Sequence, residues 1–157
     1  MLREIFEPAS HARFQWERWA TLRGRRMHVF SYHVQRIYSK WHVTYMDKEE
    51  IVPAYGGLLY IDRDTSMVMR ITFEAEDIPS SFPVQQAGTV LDYDLIPINE
   101  REYVLPLRAV VRMRAGKYLS KNEVEFRMYR KFSAEATITF DTPPPLSEDK
   151  TKEQPPK

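Results

Sequence analysis

The stretch that most constrains this chain is LPLRAVVRMRAGKYLSKNEVEFRMYRKF, residues 105–132, in which apolar and polar side chains alternate on either side of Gly116-Lys117. Alternation with a period of two is the pattern of a strand that buries one face. Gly at the first of two loop positions is the type II′ hairpin signal. Counting back from that loop sets a register. Ala115 lies opposite Tyr118, Met113 opposite Ser120, Val111 opposite Asn122, Ala109 opposite Val124, Leu107 opposite Phe126 and Leu105 opposite Met128. These residues make one mostly apolar face, read as the buried side. The other face pairs Arg108 with Glu125, Val110 with Glu123 and Arg112 with Lys121, and reads as the solvated side. A slip of one residue would bury the charges, so the register is well specified. Pro106 cannot donate a ladder hydrogen bond, which predicts a bulge or an edge position and a bend in the strand.

The same alternation recurs upstream. IDRDTSMVMRITFEAE predicts strand, loop at Arg63-Asp64-Thr65, then strand, with Met67, Met69, Ile71 and Phe73 sharing one face and Val68, Arg70, Thr72 and Glu74 the other. TVLDYDLIPINEREYVLP predicts a hairpin turning near Asn99–Arg101, with Leu91, Tyr93 and Leu95 inward. FQWERWATLRGRRMHVFSYHV predicts a strand pair turning at Gly24, KWHVTYM a further strand and EATITF the last one. Helical signals are thin: MDKEEIVP and DIPSSFP each allow one turn before proline closes them. The fold expected is all-β, an antiparallel meander forming a strongly curved sheet or partly closed barrel, with at most short helical turns.

At 157 residues the chain is one domain by length. Residues 1–10 read as a lead-in, the end of an upstream region; residues 11–140 as the β domain; residues 141–157, rich in Pro and charge, as a disordered tail. The net charge is +1, so no overall field draws in nucleic acid or an acidic membrane. Cysteine is absent, which removes disulfides and thiolate chemistry together. No apolar run approaches the ~20 residues that span a membrane, so no transmembrane segment is expected.

Three kinds of side chain could carry chemistry. The four histidines are His11, His28, His33 and His42; His33 and His42 could face one another across a hairpin, but a third metal ligand is not evident. Asp92 with Asp94, and Glu123 with Glu125, sit two apart and so share a face, as paired carboxylates in acid–base catalysis would. No nucleophile accompanies either pair, and both read as solvent-facing. The basic residues Arg23, Arg25, Arg26, Arg112, Arg114, Lys117, Lys121, Arg127, Arg130 and Lys131, with Tyr118, Tyr129 and Phe132 interleaved, would suit a single-strand binder. Glutamates 100, 102, 123 and 125 lie among them and argue for a solvated face instead. Phosphate loops, GxSxG elbows and HExxH motifs are missing, so neither a cofactor nor a metal is expected.

GGLLYIDRDTSMVMRI, LDYDLIPINEREYVLPLRA and VEFRMYRKF together resemble the C-terminal part of uncharacterised bacterial envelope proteins, over most of Phe14 to Phe140. Their pattern is a strand with Asp-x-x-Thr, a returning strand with Arg, then a Tyr before a Leu-Pro strand. It is also similar to the outer-membrane lipoprotein carrier superfamily. That resemblance implies a periplasmic half-barrel whose apolar concave face holds acyl chains, although the helices that lid such a cavity are missing here. The function expected is a non-enzymatic domain of the periplasm or cell envelope. It would bind a lipid, a lipoprotein acyl chain or a protein partner through Met67, Met69, Ile71, Phe73, Leu107, Phe126 and Met128. A nucleic-acid-binding β module using the Arg/Lys-rich face is the alternative, and a structural scaffold without ligand the second.

Overall fold

The computed structural model describes residues 2–130. A short helix, α1 (Leu2–Ile5), and a 3-10 turn at Pro8–Ser10 lead into nine strands. These are β1 (Arg13–Leu22), β2 (Arg25–Val34), β3 (Val43–Tyr45), β4 (Glu49–Ile51), β5 (Ala54–Asp62), β6 (Val68–Glu76), β7 (Val84–Ile98), β8 (Arg101–Ala115) and β9 (Tyr118–Glu125). Seven form one antiparallel sheet in the order β1-β2-β5-β6-β7-β8-β9, while β3 and β4 pair separately. Among the described residues the large sheet is not closed, and β1 and β9 are its two edges. None of the helices described is long and apolar enough to cross a membrane. The expected last strand, EATITF, and the expected tail lie outside the described residues.

The hairpins turn where the sequence places them. Arg23 and Gly24 both have positive φ, +50° and +76°, the type I′ geometry that matches the twist of the flanking strands. Gly116 has φ +58° and β8 pairs with β9 in the predicted register from Ala115–Tyr118 to Arg108–Glu125. The loops at residues 63–65 and 99–100 also fall as expected. Two short segments differ. EEI, predicted to hold a helical turn, is strand β4 paired with β3, because its β-branched Ile51 packs in a small core with Val43 and Phe82. DIPSSFP is bends and turns without a helix.

The expected irregularity at Pro106 is a bulge. Asp92 pairs with Arg108 but Tyr93 pairs with Pro106, so Leu107 is the extra residue. Its consequence runs against the sequence reading. Beyond the bulge the alternation is reversed, and Leu105 lies opposite Asp94 rather than on the face of Leu107. Similar shifts interrupt β1 at Glu17 and the β5–β6 pair beside Tyr60.

The main core covers one face of β2, β5 and β6. Tyr32, Val34, Tyr55, Leu59, Ile71 and Phe73 pack together there, and Ile5 of the lead-in and the partly buried Trp41 pack against them. Gly57 makes this packing possible. A Cβ there would meet the Thr72 carbonyl oxygen at 2.0 Å. With hydrogen in its place, the Tyr32 ring contacts Phe73 at 6.1 Å edge-on, and its hydroxyl donates to the Thr72 carbonyl at 2.7 Å. Burial pushes the Tyr32 phenol well above its ordinary pKa, so it remains a neutral donor.

Candidate functional site

On the opposite face, the strand registers align one residue from each strand into a row. Arg18 pairs with Val29, Val29 with Tyr60, Tyr60 with Arg70, Arg70 with Asp92, Asp92 with Arg108 and Arg108 with Glu125. From Arg70 onward the row alternates in charge. The Arg70 guanidinium lies over the Tyr60 ring at 5.7 Å and donates from Nε to Asp92 Oδ1 at 2.6 Å. Arg108 forms its ion pair with Glu123, which lies diagonally across from it, two residues before Glu125 on β9.

This row corrects the reading of the acidic pair. Asp92 is only 5% exposed rather than solvent-facing. It is buried because the tip of the β1–β2 hairpin curls over it. Arg23 Nη1 lies 3.6 Å from Asp92, and Arg23 Nε lies 3.8 Å from the half-exposed Asp94. Arg23 also donates to the carbonyls of Tyr93 and Met69. A carboxylate held between two guanidiniums is a fixed counter-charge, and one arginine bridges both members of the pair. Glu123 is engaged likewise: Lys121 first, then Arg108, hold its carboxyl below the ordinary range. Val110, placed on the solvated side by the sequence, is buried on this face.

Asp62 is the second buried carboxylate, and it explains the Asp-x-x-Thr pattern. Its Oδ1 accepts from the N–H of Asp64, the N–H of Thr65 and the Thr65 hydroxyl, at 3.0, 2.8 and 3.0 Å. Its Oδ2 accepts from Arg25 Nε at 2.5 Å. The Arg25 bond foremost, with the Thr65 and Asp64 bonds, keeps the Asp62 carboxyl well below its usual pKa. The motif therefore caps the β5–β6 loop and ties it to β2.

The basic and histidine candidates are dispersed. Arg23, Arg25, Lys121 and Arg127 each pair with a carboxylate. Arg26 lies on the Trp19 ring at 4.2 Å and Lys117 on the Tyr118 ring at 5.4 Å. Lys131 and Phe132 lie outside the described residues. His33 and His42 do not face each other: His33 bonds Glu76 at 2.8 Å and His42 bonds Glu50 at 2.6 Å. Among the described residues there is no group of three or more potential metal ligands.

The predicted ligand-binding residues divide into two halves. Met69, Ile71 and Phe73 are buried, and Ile71 and Phe73 belong to the main core. The apolar face at Ile71 and Phe73 is therefore covered by the chain itself. The register shift that sets Val68 opposite Ile61 brings Val68, expected on the other face, against this core in place of Met69. Met67 precedes β6 and is 47% exposed in the loop. Phe73 also lines a cavity of about 190 Å³ with Glu4, Lys40, Trp41 and Tyr55.

Much of the β8–β9 half stays open, which corrects its assignment to the buried side there, whereas Met113 and Ala115 at the hairpin end pack against the small core of Val43 and Phe82. Phe126 is 37% exposed and Met128, past the end of β9, is 84% exposed. Leu107 is half-buried. Val111 and Val124, across which this apolar face continues, are exposed as well. An open groove of about 280 Å³ lies here, lined by Leu107, Arg108, Glu125, Phe126 and Arg127. Sequence alternation identified this face but not which half is covered. That depends on Ile5 and Trp41, whose packing against β5 and β6 has no local signal. Comparison with protein-family models, with curated proteins and with solved structures found no match to this chain.

Proposed function

We propose that this chain is a non-enzymatic binding domain that takes an apolar group, an acyl chain or the apolar side chains of a protein partner, on the open β8–β9 half of its sheet. The observation that carries this reading is the run of Val111, Val124 and Phe126 exposed together beside the groove floored by Leu107. Contiguous exposed apolar surface on a soluble domain is a mark of an interaction site. The acyl-chain form of the reading, and a place in the periplasm or cell envelope, draw on the resemblance to lipoprotein carriers. The carboxylates that could have served acid–base chemistry are engaged by arginines and Lys121, which favours binding over catalysis. The same pairing consumes much of the positive charge that a nucleic-acid binder would present.

Binding would scale with apolar area removed from water, at roughly 25 cal/mol per Å² less the ordering costs. It is therefore expected to be insensitive to salt. The test is titration of the folded protein with a fluorescent long-chain fatty acid, alongside native mass spectrometry for lipid carried through purification. Phe126→Glu should abolish binding while leaving the far-UV spectrum and thermal midpoint unchanged. A protein that binds no acyl chain, or whose Phe126→Glu variant binds equally well, would sink the acyl-chain form. Salt-dependent retention on a polyanion column would turn the reading toward nucleic acid.

A further inference from the structure

The two edges of the seven-stranded sheet are built differently. β1 is interrupted by the bulge at Glu17, a feature that blunts an edge against further pairing. β9 pairs with β8 without any shift, and all eight of its residues are exposed. The Phe126 N–H donates to the Leu107 carbonyl at 3.0 Å, which fixes the phase of the ladder. Residues of an antiparallel strand alternate in the neighbour that their backbone groups address. Ser120, Asn122 and Val124 therefore address β8, whereas the N–H and C=O groups of Leu119, Lys121, Glu123 and Glu125 point outward. Among the described residues no strand pairs with that side. A regular edge of this kind is a template for one more strand.

We propose that β9 pairs with β9 of a second copy of this chain, antiparallel about a two-fold axis at Asn122, joining two sheets into one. The sequence of the strand selects that register. With Asn122 on the axis, Lys121 of each copy faces Glu123 of the other, and Tyr118 of each faces Phe126 of the other. An axis at Lys121 would set two lysines opposite, an axis at Glu123 two glutamates, and an axis at Val124 would set Glu123 against Glu125. Like charges directly opposite destabilise a strand pair. An axis at Ser120 would leave the Val124–Phe126 end of the strand unpaired. The pairing also makes the two open apolar patches continuous and brings Tyr118 of one copy beside the groove at Phe126 of the other. That last consequence rests on the binding reading above; the dimer does not, and a dimer without affinity for acyl chains would remove only the former.

The chain contains no cysteine, so one introduced thiol reports the register. Non-hydrogen-bonded neighbours in an antiparallel pair lie with Cα atoms about 4.5 Å apart, within the range a disulfide bridges. Asn122→Cys in the full chain should oxidise to a covalent dimer. Ser120→Cys should give at least tenfold less, because its two copies would sit four residues out of register, roughly 14 Å apart along the strand. Light scattering at tens of micromolar should return the dimer mass. Lys121→Glu should weaken the dimer by roughly tenfold or more, and adding Glu123→Lys should restore it. A monomer with no Asn122→Cys cross-link, or equal cross-linking at both positions, would overturn the proposal. So would a monomer whose outward β9 amides are protected from hydrogen exchange, since the edge would then be covered by its own chain.

Discussion

Arg23 reaches to within 3.6 Å of Asp92 although β5 and β6 lie between their strands in the sheet. Three strand spacings amount to about 14 Å, farther than an arginine side chain extends. The contact forms because the first hairpin curls over the sheet, and it holds the hairpin there. Arg23 itself sits at positive φ in the turn, so the turn geometry and the ion pair support each other.

Removing the Asp92 charge leaves Arg23 and Arg70 without their shared partner. Asp92→Asn is expected to cost about 2–3 kcal/mol, below the full cost of breaking a buried pair because both arginines are partly exposed. Asp94→Asn, at a half-exposed site, should cost under about 1 kcal/mol. Urea denaturation of both variants checks the order, and equal costs would show that Arg23 does not depend on Asp92.

Two glycines separate steric from conformational need. Gly57→Ala should cost about 2 kcal/mol or more, since the new methyl must displace the Thr72 backbone. Gly24→Ala meets nothing within 4 Å but must adopt φ +76°, which should cost roughly 1 kcal/mol. Thermal midpoints of the two variants, compared with wild type, should fall in that order.

Asp62 should make stability depend on acid pH. Its carboxyl titrates lower in the folded chain than when unfolded, so its contribution is complete above the unfolded value of about 4. It declines as pH falls below that value and is gone once pH has passed the folded pKa. The stability gap between wild type and Asp62→Asn should therefore be constant from about pH 5 to 7 and shrink on acidification below about pH 4. A gap that stays flat into strong acid would show that the Arg25 pair contributes nothing.

Phe73 and Phe126 test the division of the apolar face. Phe73→Ala should cost about 3–5 kcal/mol as a core cavity. Phe126→Ala, on the open half, should cost under about 1 kcal/mol. Chemical denaturation distinguishes them, and a large loss at Phe126 would mean that this half is covered in solution.

Much of the sheet was legible in the sequence because its signals are local. Alternation separates the two faces of each strand, and Gly24 and Gly116 mark turns that only a positive φ can make. The two-residue loop at Gly116-Lys117 then sets the β8–β9 register by counting. Pro106 announced its bulge through a missing donor, although the count did not carry the bulge through to Leu105.

Which face is buried, and where, was decided by tertiary structure. Alternation shows that two faces differ but not which segment arrives to cover each. Ile5 and Trp41 close the apolar face over β5 and β6, the small core around Phe82 takes Met113 and Ala115, and the same face around Leu107, Val111, Val124 and Phe126 is left open. Arg23 comes from the far hairpin to bury Asp92, a residue whose neighbours in sequence suggest solvent. Burial is a property of what packs from a distance, and Arg23 lies 69 residues along the chain from the Asp92 it covers.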